Sequence, residues 1–211
     1  MTRCVIIAGG NCNLKQYNRE PSDFIIAADS GYDHCAAFSL EPNLIIGDFD
    51  SLKSKLPSNI ETVKLPEKKD DTDLLFALRT GVLRGFKDFL IFGGYGSRPD
   101  QNLAMIQSLG WLVNEVNDVN DVNVTAVCEK FYITAIKDGV KVLKVSKNQY
   151  ISVFALSSCE GVTINGAEYP LNNAKISPFF PIGVSNASVG GEVTVSVKSG
   201  TLIVMIVDKN I

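Results

Sequence analysis

Two groups of aspartates in this sequence have a spacing that would suit a catalytic site. Asp48 and Asp50 follow the apolar run 44–46, and Asp70 and Asp73 stand at the start of an apolar-periodic segment further along the chain. In an α/β sheet, ligands bind in the crevice beyond the carboxyl ends of the strands. Carboxylates gathered there repel one another unless a cation joins them, and Mg²⁺ prefers hard oxygen ligands. The sequence therefore predicts a magnesium-dependent phosphoryl-transfer site.

Helix capping is the competing explanation for part of this acidity. Asp70, Asp71 and Thr72 lie where the predicted helix needs an N-cap, and acidic residues there also favour the helix dipole. The neighbouring Lys69 could bind phosphate or simply relieve the repulsion between the acids. Capping does not account for the first pair of aspartates, because a strand end needs no carboxylates. We therefore favour the metal-binding interpretation for the set as a whole.

A glycine-rich segment at 93–101 adds a second element of a phosphate site. Glycines between a strand and a helix let backbone amides approach phosphate oxygens, and Arg98 adds a fork of donors suited to phosphate. Asp100 could be an N-cap, a metal ligand or the group that orients a nucleophilic hydroxyl. The sequence leaves these three roles open.

Four apolar runs in the first half of the chain must position these side chains. Runs that are apolar at every position indicate burial on both faces, as in a parallel sheet covered by helices. Each run ends in glycine or aspartate, so each delivers a flexible or acidic loop to the same edge of the sheet. Apolar periodicity predicts one helix over 74–83 and a second from about residue 100 to 112. The four runs are 5–8, 24–28, 44–46 and 89–92.

The second half of the chain has the pattern of an all-β domain. A repeated Asn/Asp-Val segment at 114–123 is typical of a solvated linker or edge loop, and many short strands separated by turn signals follow it. We therefore predict an α/β domain over residues 1–120, a parallel sheet with helices on both faces. A small all-β sandwich or barrel is predicted over residues 121–211.

Charge and cysteine usage narrow the range of partners. The formal net charge is -3, so the chain has no basic field to attract nucleic acid or a membrane surface. Its five cysteines are odd in number and show no C-x-x-C spacing, which argues against a disulfide framework or a structural zinc site. No apolar run is long enough to cross a bilayer, and no signal-peptide pattern opens the chain. We expect a cytoplasmic enzyme.

With these residues assembled, the chain resembles the thiamine pyrophosphokinase (thiamin diphosphokinase) family. The likeness covers nearly the whole chain in the right order, and the combination of its two acidic motifs at this spacing is specific. G-D-F-D-S at 47–51 and K-D-x-T-D at 69–73 are intact, the D-G-G-like turn is 29–31, the G-G-R-x-D-H motif is 96–101, and a Ser-Asn pair follows at 185–186.

The resemblance implies the transfer of pyrophosphate from ATP to the hydroxyethyl oxygen of thiamine, giving thiamine diphosphate and AMP. It implies Mg²⁺ as cofactor, ATP as co-substrate and a homodimer formed through the C-terminal β domain. The implied metal ligands are Asp48, Asp50, Asp70 and Asp73, of which Asp50 and Asp73 are also catalytic together with Asp100. The implied nucleotide-binding residues are Asp29, Ser51, Lys69, Thr72, Arg98 and Gln101, and the implied thiamine contacts are Ser185 and Asn186.

Three positions depart from the family pattern. Gln101 stands where the family usually has histidine, Ser97 where it has a second glycine, and Met105 where asparagine is common. Glutamine donates and accepts hydrogen bonds but does not titrate, so any acid–base role of that histidine is absent here. We still predict a working enzyme.

Two other functions compete with this one. A magnesium-dependent phosphohydrolase can also place a D-x-D pair after a strand, but the appended β domain is then unexplained. A non-catalytic regulator that binds thiamine or nucleotide is suggested by Gln101 and Met105. Because every predicted metal carboxylate remains, we favour the kinase.

Overall fold

A computed structural model describes residues 2–68, 70–116 and 122–210 of the chain. Contacts divide it into two compact units. The first comprises Met1–Ser108 with Val124–Glu129, and the second comprises Leu109–Asn123 with Lys130–Ile211. The predicted domain boundary, between residues 120 and 121, lies outside the described residues and stays a prediction.

The first unit is built on parallel strands. The strand order is β4-β3-β2-β1-β5-β6, and the pairs from β4 to β5 are all parallel. The order runs outward from β1 to β4 and then resumes with β5 on the other side of β1, so the sheet has a switch point between β1 and β5 where a crevice opens. The strands are β1 Arg3–Ile7, β2 Phe24–Ala28, β3 Leu44–Gly47, β4 Glu61–Lys64, β5 Asp88–Phe92 and β6 Asn123–Val127.

Helices cover both faces of this sheet, as the apolar runs predict. The helices are α1 Gly31–Ala37, α2 Asp73–Leu83 and α3 Pro99–Glu115. Cys35 of α1 packs in a cluster with Val5 and Ile25, which lie on one face of the sheet. Gly81 of α2 lies against the other face, where an added Cβ would be 2.6 Å from the Phe89 ring and 3.1 Å from the Cys4 sulfur. Residues 4 and 5 point to opposite faces because strand side chains alternate, so the two helices lie on opposite sides.

The second unit is a sandwich of antiparallel strands, as the sequence predicts. One layer has the order β12-β9-β14-β7 and the other the order β11-β10-β13-β8. Their inner faces form one apolar core that contains Val153, Val162, Val193 and Val204. The strands are β7 Phe131–Lys137, β8 Val140–Val145, β9 Gln149–Ala155, β10 Cys159–Asn165, β11 Leu171–Ile176, β12 Asn186–Ala187, β13 Gly191–Ser196 and β14 Thr201–Asp208.

Sequence periodicity did not identify three of these strands. β4 is mostly exposed, β11 has the polar sequence LNNAKI, and β12 contains two residues. Strands at the ends of a sheet need less apolar surface, so the hydrophobic pattern that identifies a buried strand is weak there. Among the described residues, no helix has the length and apolar character needed to span a membrane.

Candidate active site

A cavity of about 540 Å³ lies in the first unit, where the strands of the parallel sheet end. Loops that follow β1, β2, β3 and β5 line it, together with the first residues of α2 and α3. The predicted edge of the sheet is therefore where the cavity forms. The sequence-predicted residues among its lining are Asp29, Asp48, Asp50, Ser51, Thr72, Asp73, Arg98 and Gln101.

Three aspartates from two neighbouring loops converge in this cavity. One carboxylate oxygen from each of Asp29, Asp48 and Asp50 lies within 4.8 Å of the other two. Asp29 Oδ2 accepts a hydrogen bond from the Ser51 hydroxyl. Within the described part of the chain, Asp29 Oδ1 is buried and accepts no hydrogen bond. A buried carboxylate oxygen without a donor is costly, and a divalent cation held by all three residues would satisfy it.

Backbone conformation explains how the three acids meet. Asp29 and Phe49 both have a left-handed backbone, with φ of 48° and 67°. Phe49 packs against the core of the first unit, so it anchors the loop that carries Asp48 and Asp50. Gly47 allows this loop to pass close to Asp29, because an added Cβ would lie only 2.8 Å from the Asp29 Cα. The glycine of the G-D-F-D-S motif is thus required by the contact between the two loops.

The second acidic motif contributes Asp73 and Thr72 to the cavity. Thr72 is the N-cap of α2, and its hydroxyl oxygen accepts a hydrogen bond from the Leu75 amide at 3.2 Å. That hydroxyl keeps its proton for donation to another group. Asp73 is the first residue of the helix and faces the cavity. The motif therefore both caps the helix and supplies polar groups to the site.

The other acids of this motif lie apart from the cavity lining. Asp70 is exposed and is not among the residues that line the cavity, so its predicted role as a metal ligand stays a prediction. Asp71 accepts a hydrogen bond from the Arg79 guanidinium at 2.5 Å, which agrees with a structural role. Lys69, predicted to bind phosphate, lies outside the described residues.

Arg98 and Asp100 form an exposed ion pair at the rim. The Nη2 and Nε atoms of Arg98 donate to the two carboxylate oxygens of Asp100 at 2.5 and 3.2 Å. This hydrogen-bonded pairing raises the pKa of Arg98 and lowers the pKa of Asp100. Arg98 lines the cavity and Asp100 does not. The structure therefore shows what Asp100 contacts, and its catalytic role stays a prediction.

Sequence reasoning missed two residues that support the glycine-rich segment at 93–101, which forms one wall of the cavity. The Asn102 side chain bonds both backbone groups of Gly96, accepting from its amide at 2.8 Å and donating to its carbonyl at 2.9 Å. Gly10, after β1, donates to the Gly93 carbonyl at 2.7 Å, and an added Cβ on Gly10 would meet that carbonyl oxygen at 2.5 Å. The pair Gly9-Gly10 directly after the first apolar run was the available signal for this second contact.

The predicted thiamine contacts lie in the second unit. Ser185 is exposed, has a left-handed φ of 56°, and its amide donates to the Ser152 hydroxyl at 3.0 Å. Asn186 is buried, and its side chain bonds the backbone amide and carbonyl of Tyr169 at 3.0 and 2.7 Å. Asn186 therefore holds the segment around Tyr169 in place. A direct contact of either residue with thiamine stays a prediction.

Comparison with known proteins identifies the family. A model described as "Thiamin pyrophosphokinase, catalytic domain" matches residues 15–120, and one described as "Thiamin pyrophosphokinase, vitamin B1 binding domain" matches residues 138–202. The chain belongs to the thiamin pyrophosphokinase family. The resemblance predicted from the acidic motifs is thus confirmed, as is an enzyme of the ATP-dependent diphosphokinase class.

Individual thiamin pyrophosphokinases resemble the chain over almost its whole length. It is 28% identical to a thiamine pyrophosphokinase of Bacillus subtilis strain 168, across 95% of this chain and 96% of that protein. A crystal structure of the Bacillus subtilis protein superposes with a TM-score of 0.86 at 26% identity, covering 98% of this chain and 99% of that one. The enzyme from Geobacillus thermodenitrificans shares the fold, with a TM-score of 0.81 at 22% identity and coverage of 99% and 98%.

All three departures from the thiamin pyrophosphokinase pattern, Ser97, Gln101 and Met105, lie at the cavity itself. Gln101, in place of the usual histidine, lines the cavity and is exposed. Met105, in place of the common asparagine, is 1% exposed, and its side chain packs beside Gly94. Asn102 lies one helical turn before Met105, and its amide side chain hydrogen-bonds the backbone of Gly96 in the glycine-rich segment.

Proposed function

We propose that this protein makes thiamine diphosphate and AMP by transferring pyrophosphate from ATP to the hydroxyethyl oxygen of thiamine. The observation that carries the proposal is the convergence of Asp29, Asp48 and Asp50 in a cavity that Arg98 and a glycine-rich loop border. Phosphoryl transfer depends on positioning and charge stabilisation, and this cavity offers groups of both kinds. The match of both family models to the chain supports thiamine as the acceptor.

The three converging aspartates fit a magnesium ion. Their oxygens are close enough to share one cation, and the buried Asp29 Oδ1 accepts no hydrogen bond within the described residues. Asp73 faces the same cavity and adds a fourth candidate ligand. A bound Mg²⁺ would neutralise charge on the phosphates and orient them for in-line displacement. Asp29, which the resemblance gives as a nucleotide-binding residue, thereby becomes a proposed ligand.

Arg98, Thr72 and Gln101 are the proposed phosphate-binding side chains. All three line the cavity, and each has at least one N–H or O–H to donate. The guanidinium of Arg98 bonds Asp100 in this structure, so phosphate oxygens would compete with that carboxylate for its donors. Lys69 remains a further proposed phosphate contact on the strength of the K-D-x-T-D motif alone.

Asp100 is proposed to orient the thiamine hydroxyl. When phosphate takes over the guanidinium of Arg98, the Asp100 carboxylate becomes available to accept a hydrogen bond from the attacking hydroxyl. The hydroxyl oxygen bonds to the β-phosphorus, and the bond from that phosphorus to the α–β bridging oxygen breaks. AMP leaves with that oxygen, and the hydroxyl proton is lost to a base or to solvent.

Thiamine binding is proposed to involve a homodimer formed through the second unit, with Ser185 and Asn186 near the thiamine. Exposed apolar side chains flank these residues in sequence, among them Val184 and Val189 at 45% and 52% exposure. Clustered exposed apolar groups are typical of interaction surfaces. The mass of the protein in solution tests the dimer.

A cytoplasmic location is also proposed. All five cysteines are unpaired, and Cys4, Cys35 and Cys159 are buried as small apolar side chains. Unpaired buried thiols are typical of proteins from reducing compartments. Fractionation of cells that express the protein tests this point.

The deciding experiment combines purified protein with ATP, Mg²⁺ and thiamine and measures AMP, free phosphate and thiamine diphosphate. We expect AMP and thiamine diphosphate in equal amounts, only when all three components are present. Release of phosphate without thiamine diphosphate would instead indicate a phosphohydrolase. Binding of thiamine or ATP without any product would indicate a non-catalytic regulator.

A further inference from the structure

Asp33 of α1 holds the loop that carries two of the converging aspartates. Its Oδ1 accepts a hydrogen bond from the Ser54 amide at 2.7 Å, and its Oδ2 accepts one from the Lys53 amide at 3.1 Å. Both amides belong to the segment that follows Asp48 and Asp50. Asp33 itself is half-buried and is not among the residues that line the cavity. It therefore contacts the loop from behind the site.

The loop depends on such contacts because it has no helix or strand of its own. Residues 48–56 lie between β3 and β4 without regular structure, and Phe49 holds a left-handed backbone that an aromatic side chain disfavours. Packing of the Phe49 ring anchors the start of the loop, and the bond from Ser51 to Asp29 anchors its middle. Asp33 anchors the later part of the loop, where its carboxylate accepts hydrogen bonds from two backbone amides.

The carboxylate of Asp33 suits this role electrostatically. Partial burial raises its pKa, but hydrogen bonds from the Ser54 side chain and from the amides of Lys53 and Ser54 lower it by more, so its pKa falls below the ordinary value. Asp33 thus stays ionised at neutral pH. A charged acceptor forms stronger hydrogen bonds to backbone amides than a neutral one.

We propose that Asp33 is a positioning residue that sets the affinity of the site for its divalent cation by holding Asp48 and Asp50 beside Asp29. The inference rests on the proposed function for the reaction, but its first consequence concerns the cation alone. Removing a residue that orients a metal ligand without contacting the metal typically changes metal affinity or activity by about 10- to 100-fold. Asp33 would be such a group although it contacts neither cation nor substrate.

The test compares Asp33→Ala and Asp33→Asn with Asn43→Ala as a matched control. Asn43 also accepts a hydrogen bond from a backbone amide, that of Ile25 at 2.8 Å, and it lies at the opposite end of the same parallel strands. Asparagine at position 33 keeps one acceptor oxygen, so it should retain one of the two amide bonds. Because it preserves the size of the side chain, it also provides a variant that folds if alanine does not.

The first readout is binding of Mn²⁺, measured by electron paramagnetic resonance without nucleotide. We expect affinity to fall about tenfold in Asp33→Ala, to fall less in Asp33→Asn, and to stay at the wild-type value in Asn43→Ala. Hydrogen exchange should accelerate in peptides covering residues 48–54 of the Asp33 variants and stay unchanged in peptides covering β2. A merely structural role would lower stability without this selective loss of cation affinity.

The inference and the proposed function can fail separately. If the wild-type protein forms no thiamine diphosphate but the Asp33 variants lose Mn²⁺ affinity as expected, the proposed function is wrong and the positioning role holds. If the wild-type enzyme is active and Asp33→Ala or Asp33→Asn binds Mn²⁺ as tightly as Asn43→Ala, the positioning role is wrong. Absence of Mn²⁺ binding by the wild-type protein would also overturn it.

Discussion

Replacing Asp29 by asparagine should stabilise the metal-free protein and weaken its response to Mg²⁺. Asp29 lies within 4.8 Å of two other carboxylates. At that separation, two unit charges repel by ~0.9 kcal/mol in water and ~3.5 kcal/mol at an effective dielectric constant of about 20. Asp50 is exposed and Asp48 is half-buried, so the value for water is the closer guide. With two such neighbours, neutralising Asp29 should stabilise the metal-free protein by about 1–2 kcal/mol.

Thermal unfolding in EDTA and in Mg²⁺ measures both effects. For a chain of this size, 1 kcal/mol shifts the midpoint by about 2–4 °C, so Asp29→Asn should unfold about 2–8 °C higher than wild type in EDTA. Added Mg²⁺ should raise the wild-type midpoint more than that of the variant, because the cation stabilises the folded state in proportion to its affinity. Asparagine tolerates the left-handed φ of 48° at this position, so the substitution tests charge rather than backbone strain.

Asp138→Asn is the matched control for this prediction. Asp138 is also a left-handed aspartate, with φ of 44°, and it accepts a hydrogen bond from the Gly200 amide at 2.7 Å in the second unit. Its neutralisation should give no stabilisation in EDTA and should leave the Mg²⁺ response unchanged. A lower midpoint for Asp29→Asn in EDTA, or a Mg²⁺ response equal to that of wild type, would refute the reasoning.

Three further predictions concern other parts of the molecule. Asp73→Asn should lower kcat/KM for thiamine diphosphate formation by about 100-fold or more, while the circular dichroism spectrum stays unchanged. Near-normal turnover would contradict a role of Asp73 in the active site. Asn102→Ala removes both hydrogen bonds to Gly96 in the glycine-rich segment. The KM for ATP should therefore rise by up to about tenfold in initial-rate assays, with a smaller change in kcat. An unchanged KM would argue against a role of Asn102 in holding this segment. Burial raises the pKa of Asp23, but hydrogen bonds led by that of Arg3 lower it by more, so the folded pKa lies below the unfolded one. The stability from Asp23 is therefore complete above the unfolded pKa of about 3.9 and is lost as pH falls through the folded pKa. Asp23→Asn should cost about 2 kcal/mol in urea unfolding at pH 7, and this cost should shrink as pH falls below the unfolded pKa of about 3.9. A cost that does not change with pH in that range would exclude the charge as the cause.

Much of the fold could be predicted because its central strands are buried on both faces. The four apolar runs correspond to β1, β2, β3 and β5, and burial on both sides makes every position of such strands apolar. The edge strand β4 could not be found in this way, because an exposed strand carries the same residue types as a loop. The β-rich character of the second half was visible from strand spacing and turn residues, whereas the polar strand β11 was not.

The amino-acid sequence by itself determined which acids follow the strands and which glycines give those loops their freedom, because both properties are local. Only the tertiary structure decided that Asp29 joins Asp48 and Asp50, while Asp70 stays outside the cavity lining. That grouping follows from the parallel register of β2 and β3, which pairs Ala28 with Ile46, and from the close approach that Gly47 permits. The supporting contacts of Asp33 and Asn102 also belong to the tertiary structure, because a side-chain bond to a backbone amide leaves no periodic trace in a sequence.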